Sequence, residues 1–179
     1  MVKYLSIRKA ELSDLPQILT VYEYARKFMA ETGNPGQWGS KFPLESRIRE
    51  DIEEQQLYAV EKEQQICGVF ALIIGEDPTY QSIEQGQWLS DSEYGTIHRV
   101  AGNGTARGVF EAIIRFCEKK ISHLRIDTHQ DNKIMQHLIE KNGFSRRGII
   151  HLANGDERIG FEKVMGRRNK SENWHNPRK

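Results

Sequence analysis

Two cysteines and five prolines are all that this chain of 179 residues holds of either type, and its charges nearly cancel, 25 Asp+Glu against 26 Lys+Arg. Each scarcity excludes something. Cys67 and Cys117 lie in apolar segments, one strand-like and one helix-like, so both read as buried free thiols. A disulfide or a cysteine metal site would need partners that this spacing does not offer. Apolar stretches such as Val69 to Ile74 are far too short to cross a bilayer, and no charged-then-apolar leader precedes Ile7, so a soluble cytoplasmic protein is expected. A net charge of +1 argues against a basic nucleic-acid binder. What is present suffices for a core: 37% of residues are hydrophobic, with seven Phe, six Tyr and three Trp, which argues against global disorder. The charged fraction of 28% and a mean hydropathy of -0.67 imply a very polar surface. The length fits one domain, expected over residues 1–165, followed by a basic tail over 166–179.

Along the chain, Tyr4 to Arg8 reads as a strand. Ser13-Asp14 reads as an N-cap before an amphipathic helix from Leu15 to Thr32, with Ile18, Leu19, Tyr22, Ala25 and Met29 at helical spacing. Gly33 ends it, and a breaker-rich loop carrying Trp38 leads to a charged helix from Leu44 to Gln55. Leu57 to Lys62 and Gln65 to Gly75 read as a hairpin about Glu63-Gln64. Residues 76–93 form an excursion holding Tyr80 and Trp88. A strand from Tyr94 to Gly102, a glycine-containing loop and a helix from Gly108 to Lys120 follow. His123 to Thr128 is a strand, and Asp131-Asn132 caps a helix to Lys141 that buries Ile134, Met135, Leu138 and Ile139. Phe144 to Ala153 and Glu157 to Val164 form a hairpin about Asn154-Gly155-Asp156. The expected order is β-α-α-β-β-β-α-β-α-β-β.

A glycine-containing loop that opens a helix aims backbone N–H groups at one point, where the helix dipole also favours negative charge. Gly102, Gly104 and Gly108 permit tight turning there, and Arg107 adds a cation, so the segment suits a phosphate or serves as plain connection. It is not a Walker loop, because no Gly-Lys-Ser/Thr follows, and it fits a dinucleotide fingerprint poorly.

Taken together, His98-Arg99-Val100-Ala101, the loop to Gly108-Val109, Arg125-Ile126-Asp127-Thr128-His129, Asp131-Asn132, Met135 and Glu140-Lys141-Asn142-Gly143-Phe144 resemble the GCN5-related N-acetyltransferase (GNAT) superfamily. The likeness in element order covers residues 4–165. It implies an α/β fold with a mixed, mostly antiparallel central sheet, a splayed parallel strand pair and helices on both faces. It also implies coenzyme A as ligand, in the form of acetyl-CoA. Val100 and Ala101 would meet the pantetheine arm, and the segment Asn103, Gly104, Ala106, Arg107, Gly108, Val109 would hold the pyrophosphate, with Asn132 and Met135 beside the arm. Two positions depart from the family pattern. Aligning its first loop glycine on Gly108 puts Thr105 at the usual Gln/Arg and Phe110 at the final Gly/Ala, and Ile139 stands where many members carry a proton-donating Tyr.

The implied reaction is direct attack of an amine on the acetyl thioester, in a ternary complex. His98 and Asn132 are the catalytic candidates that go with it. His98 is preferred over His129 as general base, because strand alternation would put it on one face with Val100 and set Arg99 with Ala101 on the other. A His98 merely hydrogen-bonded beneath the loop, or water relayed to a carboxylate, are the competing readings. Asn132 serves equally as a helix cap. Arg99 and Asp127 are expected to pair across adjacent strands, with Arg125 as competitor, against a direct role with substrate. For the acceptor, an aromatic pocket would suit a hydrophobic or cationic amine. Its candidates are Trp38, Tyr80 and Trp88, with Phe42 nearby, while Tyr22 and Phe28 read as core.

A rival reading is a non-catalytic CoA-binding protein, sensor or structural. A further one is nucleic-acid binding by the tail residues Arg167, Arg168, Lys170, Arg178 and Lys179, against which a solvated extension is the simpler account. The acceptor, a small-molecule or protein amine, is not named by the sequence, and a homodimer that completes the pocket is compatible with it; no membrane or nucleic-acid partner is expected. The tail carries a net +4 and the preceding 165 residues a net −3, which is compatible with drawing in a cationic amine.

Overall fold

A computed structural model of the chain describes residues 4–166. The basic tail from Arg167 onward therefore lies outside the described residues. Seven strands form one sheet in the order β1-β2-β3-β4-β5-β7-β6. They are β1 (Ser6–Lys9), β2 (Leu57–Lys62), β3 (Gln65–Ile74), β4 (Gly95–Gly102), β5 (His123–Thr128), β6 (Ser145–His151) and β7 (Glu157–Val164). Helices α1 (Leu15–Glu31) and α2 (Glu45–Glu53) precede β2, α3 (Val109–Lys120) joins β4 to β5, and α4 (Lys133–Lys141) joins β5 to β6. The expected element order and the mixed, mostly antiparallel sheet are both found. Among the described strands β4 and β5 alone run parallel.

Two apolar layers cover the sheet. Ile18, Val21 and Tyr22 of α1 and Ile48 and Ile52 of α2 bury one face on Val69 and Ala71, while Phe110, Ile113 and Cys117 of α3 and Ile139 of α4 bury the other on Phe70 and Leu72. Alternation along β3 thus feeds both cores. Cys67 and Cys117 are buried free thiols, as expected. No helix among the described residues is long and apolar enough to cross a membrane.

Three local expectations change. Asp14 occupies the N-cap position of α1, but its carboxylate turns back to accept from Arg8 at 2.7 and 2.9 Å and from the Glu11 amide at 2.8 Å. Phe28 and Ile134 are 43% and 45% exposed, because the apolar arcs of α1 and α4 are narrower than their apolar content suggests. Phe28 stacks instead on Tyr24.

The third change concerns β4. Its register with β3 runs Val69↔Ala101 and then Ala71↔His98, so Arg99 and Val100 oppose the single residue Phe70. This is a β-bulge, with Arg99 in the left-handed region at φ 52°. The extra residue breaks the alternation. His98 shares the face of Ala71, Ala101 packs there too, and Val100 packs into the opposite layer, so His98 and Val100 do not share a face.

Candidate active site

The bulge coincides with a parting of strands. The β4–β5 ladder holds through Gly95↔Leu124, Thr96↔Arg125 and Ile97↔Ile126 and goes no further. From His98 onward β4 turns an edge without a strand partner toward a cavity of about 800 Å³, whose lining includes Val100, Asn132 and Met135 as well as Trp38, Phe42 and His98. One cavity thus reaches both the expected thioester site and the aromatic loop.

His98 is the histidine that lines this cavity. Its Nε2 lies 2.8 Å from Asp77 Oδ2. Asp77 is fixed in turn by the Thr79 amide and hydroxyl, at 2.9 and 2.6 Å. Burial alone would raise the Asp77 carboxyl, but the bonds from His98 and Thr79 outweigh it and hold the group down at about 2. His129 lies elsewhere, on a smaller cavity of about 410 Å³, where its Nδ1 accepts from the Asp131 amide.

The expected Arg99–Asp127 pair is absent. The bulge throws the Arg99 side chain toward α2, where Nε and Nη2 fork onto Asp51 at 2.7 and 2.9 Å. Asp127 accepts instead from the Tyr80 hydroxyl at 2.6 Å. Arg125 does not compete for it, being held between the Trp88 and Tyr94 rings and bonded to Ser90 O at 2.7 Å.

The expected acceptor aromatics divide accordingly. Trp38 and Phe42 line the cavity, their rings 6.3 Å apart. Tyr80 is fully buried behind it, against His98 and Asp127, and burial raises its hydroxyl well above the ordinary range. Trp88 stands clear of the cavity. Its Nε1 donates to Tyr80 O, and its ring covers Gly160, where a β-carbon would come within 2.9 Å. Both rings therefore fasten the 76–93 excursion to the sheet.

In the loop after β4, Asn103 holds the turn together. Its amide donates to Cys67 O, and its Oδ1 accepts from the Thr105 amide and hydroxyl. The amides of Asn103 and Thr105 are therefore spent within the chain. Those of Gly104, Ala106, Arg107 and Gly108 donate to no acceptor among the described residues, and α3 begins with its first-turn N–H groups open. Gly104 and Gly108 sit at φ 77° and 73°, in the left-handed region that glycine adopts without strain. Arg107 is exposed beside them. Donor set and open strand edge both fit a ligand whose extended arm is joined to a pyrophosphate.

Asn132 both caps and faces the cavity. Oδ1 accepts from the Met135 amide at 3.1 Å, and Nδ2 donates to Gln37 Oε1 at 3.0 Å, which ties the Trp38 loop to α4. Ile139 is fully buried and has no proton to offer.

The sequence matches the acetyltransferase (GNAT) domain over residues 5–145. The chain belongs to the GNAT acetyltransferase family. It is an N-acetyltransferase, and acetyl-CoA is its acyl donor. A GNAT-family acetyltransferase from Streptococcus agalactiae is similar at 27% identity and a TM-score of 0.83, over 92% of this chain and 99% of that one. The fold also matches a ribosomal-protein-alanine N-acetyltransferase from Brucella melitensis at 17% identity and a TM-score of 0.60, over 89% and 99% of the two chains. A Salmonella typhimurium protein described as an acetyltransferase with its cofactor acetyl-CoA shares the fold at 11% identity and a TM-score of 0.60, over 92% and 96%. No curated protein matches the chain. In this GNAT enzyme, Asp77, Asp51 and Gln37 escaped the sequence reading. The Asp77-Pro78-Thr79 turn could have been seen, but not the histidine that it meets.

Proposed function

We propose that this enzyme transfers the acetyl group of acetyl-CoA to a primary amine by direct attack, with both substrates held together in the 800 Å³ cavity. The observation that carries this reading is the His98–Asp77 pair on the wall of a cavity that also reaches the β4–β5 opening. Ionised Asp77 accepts the Nε2 proton of His98, which leaves Nδ1 as the nitrogen that takes a proton from the acceptor ammonium and so frees the neutral amine to attack. Asp77 also offsets the charge that His98 then carries.

Acetyl-CoA supplies the activated acyl group. The backbone N–H of Val100, in the bulge and beyond the last β4–β5 pairing, receives the carbonyl oxygen as it gains charge, whereas Ala101 is paired with Val69 of β3. The open amides of Gly104 and Ala106 to Val109, with Arg107, hold the pyrophosphate, and Asn132 and Met135 flank the arm. With Ile139 at the family's usual acid position, no side chain there protonates the CoA thiolate when the C–S bond breaks, so it departs as the anion and takes its proton from solvent. Trp38 and Phe42 form the acceptor wall. Residues 1–165 act as one acyltransferase domain, and the two free buried thiols suit a reducing cytoplasm.

The test is thiol release from acetyl-CoA across an amine panel. Turnover by the wild type with loss in His98→Ala supports the reading. Wild-type turnover and pH profile retained in His98→Ala end the base assignment.

A further inference from the structure

Among the described residues two arginines are buried, Arg125 and Arg158, and Arg99 is half-buried; they differ in the partner of their charge. Arg99 has Asp51, and Arg125 lies 3.5 Å from Glu162 and between two aromatic rings. Arg158 on β7, only 6% exposed, has no carboxylate within 4.0 Å among the described residues. Its bonds go to two backbone carbonyls, Nη1 to Glu157 O at 2.9 Å and Nη2 to Gln37 O at 3.3 Å. Neutral acceptors leave the charge of a guanidinium uncompensated, and such burial is unfavourable unless an anion arrives.

Arg158 lines the 800 Å³ cavity that holds His98. Register places Asp127 opposite Gly160, so Arg158, two residues along β7, is a diagonal neighbour of Asp127 on the same face of the sheet. The two nonetheless form no ion pair. Asp127 accepts from Tyr80, and Arg158 is drawn to the Trp38 loop through Gln37. A negative and a positive group therefore stand side by side on the cavity wall, each with bonding capacity left over.

We propose that Arg158 binds the carboxylate of the acceptor, so that the substrate is an amine that carries a carboxylate, an amino-acid-like zwitterion whose ammonium lies toward Asp127 and His98. This rests on the acceptor site argued above and names its substrate class. A phosphate would suit Arg158 alone, but Asp77, Asp127 and Asp156 line the same cavity and repel a dianion more than a carboxylate. A guanidinium fork also matches a carboxylate geometrically.

The experiment compares matched acceptors: leucine against leucinamide and isopentylamine, and γ-aminobutyrate against butylamine, each followed by thiol release from acetyl-CoA. Wild-type enzyme is expected to favour at least one carboxylated compound by ten-fold or more in kcat/KM. Arg158→Gln should bring that preference to within two-fold, chiefly through KM, and Arg158→Lys should restore part of it. Melting curves of both variants with acetyl-CoA bound establish that the fold is intact, and if Arg158→Gln does not fold, the preference of the wild type and its reduction in Arg158→Lys decide the matter. A wild type that favours the plain amines or leucinamide, or that acetylates none of the carboxylated compounds, overturns the assignment. So does an Arg158→Gln enzyme that keeps the ten-fold preference. Acetylation of plain amines with loss in His98→Ala would leave the catalytic reading standing while this one falls. A His98→Ala enzyme that keeps both its turnover and an Arg158-dependent preference would do the reverse.

Discussion

The Arg99 guanidinium forks onto the Asp51 carboxylate at 2.7 and 2.9 Å, joining the bulge of β4 to α2 across the sheet face. Asp51 is fully buried, and the Tyr22 hydroxyl donates to Arg99 O at 2.8 Å, so side chain and backbone of the bulge residue are both held. Removing the Arg99 charge leaves Asp51 uncompensated, and Arg99→Ala is expected to cost about 3–5 kcal/mol. Tyr22→Phe removes one hydrogen bond and should cost about 1 kcal/mol. Urea unfolding of the two variants measures both. An Arg99→Ala protein as stable as the wild type would show that the pair does not hold the bulge.

For the His98–Asp77 pair, loss of a general base lowers kcat by roughly 10²–10⁴-fold, which is the range expected for His98→Ala. Asp77→Asn should lower it less, because the imidazole remains but its charged form loses a counter-charge. The pH dependence of stability follows from the Asp77 shift. Its carboxyl falls from the ordinary 3.8 to about 2 in the folded chain, so the folded state favours the ionised form. That stabilisation is fully present above pH 3.8 and is lost as the pH falls through about 2. In His98→Ala the burial of Asp77 goes unopposed by its main partner, so the acid-unfolding midpoint should move to higher pH. Acid titrations followed by circular dichroism test this, and an unchanged midpoint would mean that the pair is not linked to folding.

Gly104 offers a steric test of the loop. A β-carbon there would stand 2.5 Å from the Tyr24 hydroxyl, and a φ of 77° is left-handed. Gly104→Ala therefore adds strain of about 1–2 kcal/mol to the loop conformation itself. The measured effect should be a raised KM for acetyl-CoA with little change in the acceptor KM. Combining it with Tyr24→Ala frees the space but not the backbone, so the double variant should recover only part of the loss. Full recovery would assign the whole effect to the hydroxyl contact.

Asn132 permits two tasks to be separated. Asn132→Asp keeps an acceptor for the Met135 amide and loses the donor to Gln37, whereas Asn132→Ala loses both. The alanine variant should lose about 1 kcal/mol as a missing cap, and the aspartate variant much less. Both should raise the acceptor KM, because both untie the Trp38 loop from α4. If Asn132→Asp keeps the wild-type acceptor KM, the tie to Gln37 does not shape the pocket.

The outline of the fold was readable because its signals are local. The helical spacing of Ile18, Tyr22 and Ala25, the turn at Asn154-Gly155-Asp156 and the glycines on either side of the β4–α3 loop act within a few residues of themselves. The placing of the site followed a different rule. Strict alternation put His98 beside Val100, and one inserted residue at Arg99 reversed that; nothing nearby in sequence marks a bulge built on arginine. Trp88, drawn to Arg125 and Gly160, and Tyr80, drawn to Asp127, became supports of the wall.

The sequence by itself determined the order of elements, the GNAT resemblance, the glycine loop and the candidacy of His98, since each rests on periodicity, turn chemistry or contiguous motif. Only the tertiary structure decided which charges meet: His98 with Asp77, Arg99 with Asp51, Tyr80 with Asp127, and Arg158 with no carboxylate. Such partners are 21 to 48 residues apart in the chain. They are brought together by strand register and by one bulge, and a single-residue shift in either exchanges one partner for another.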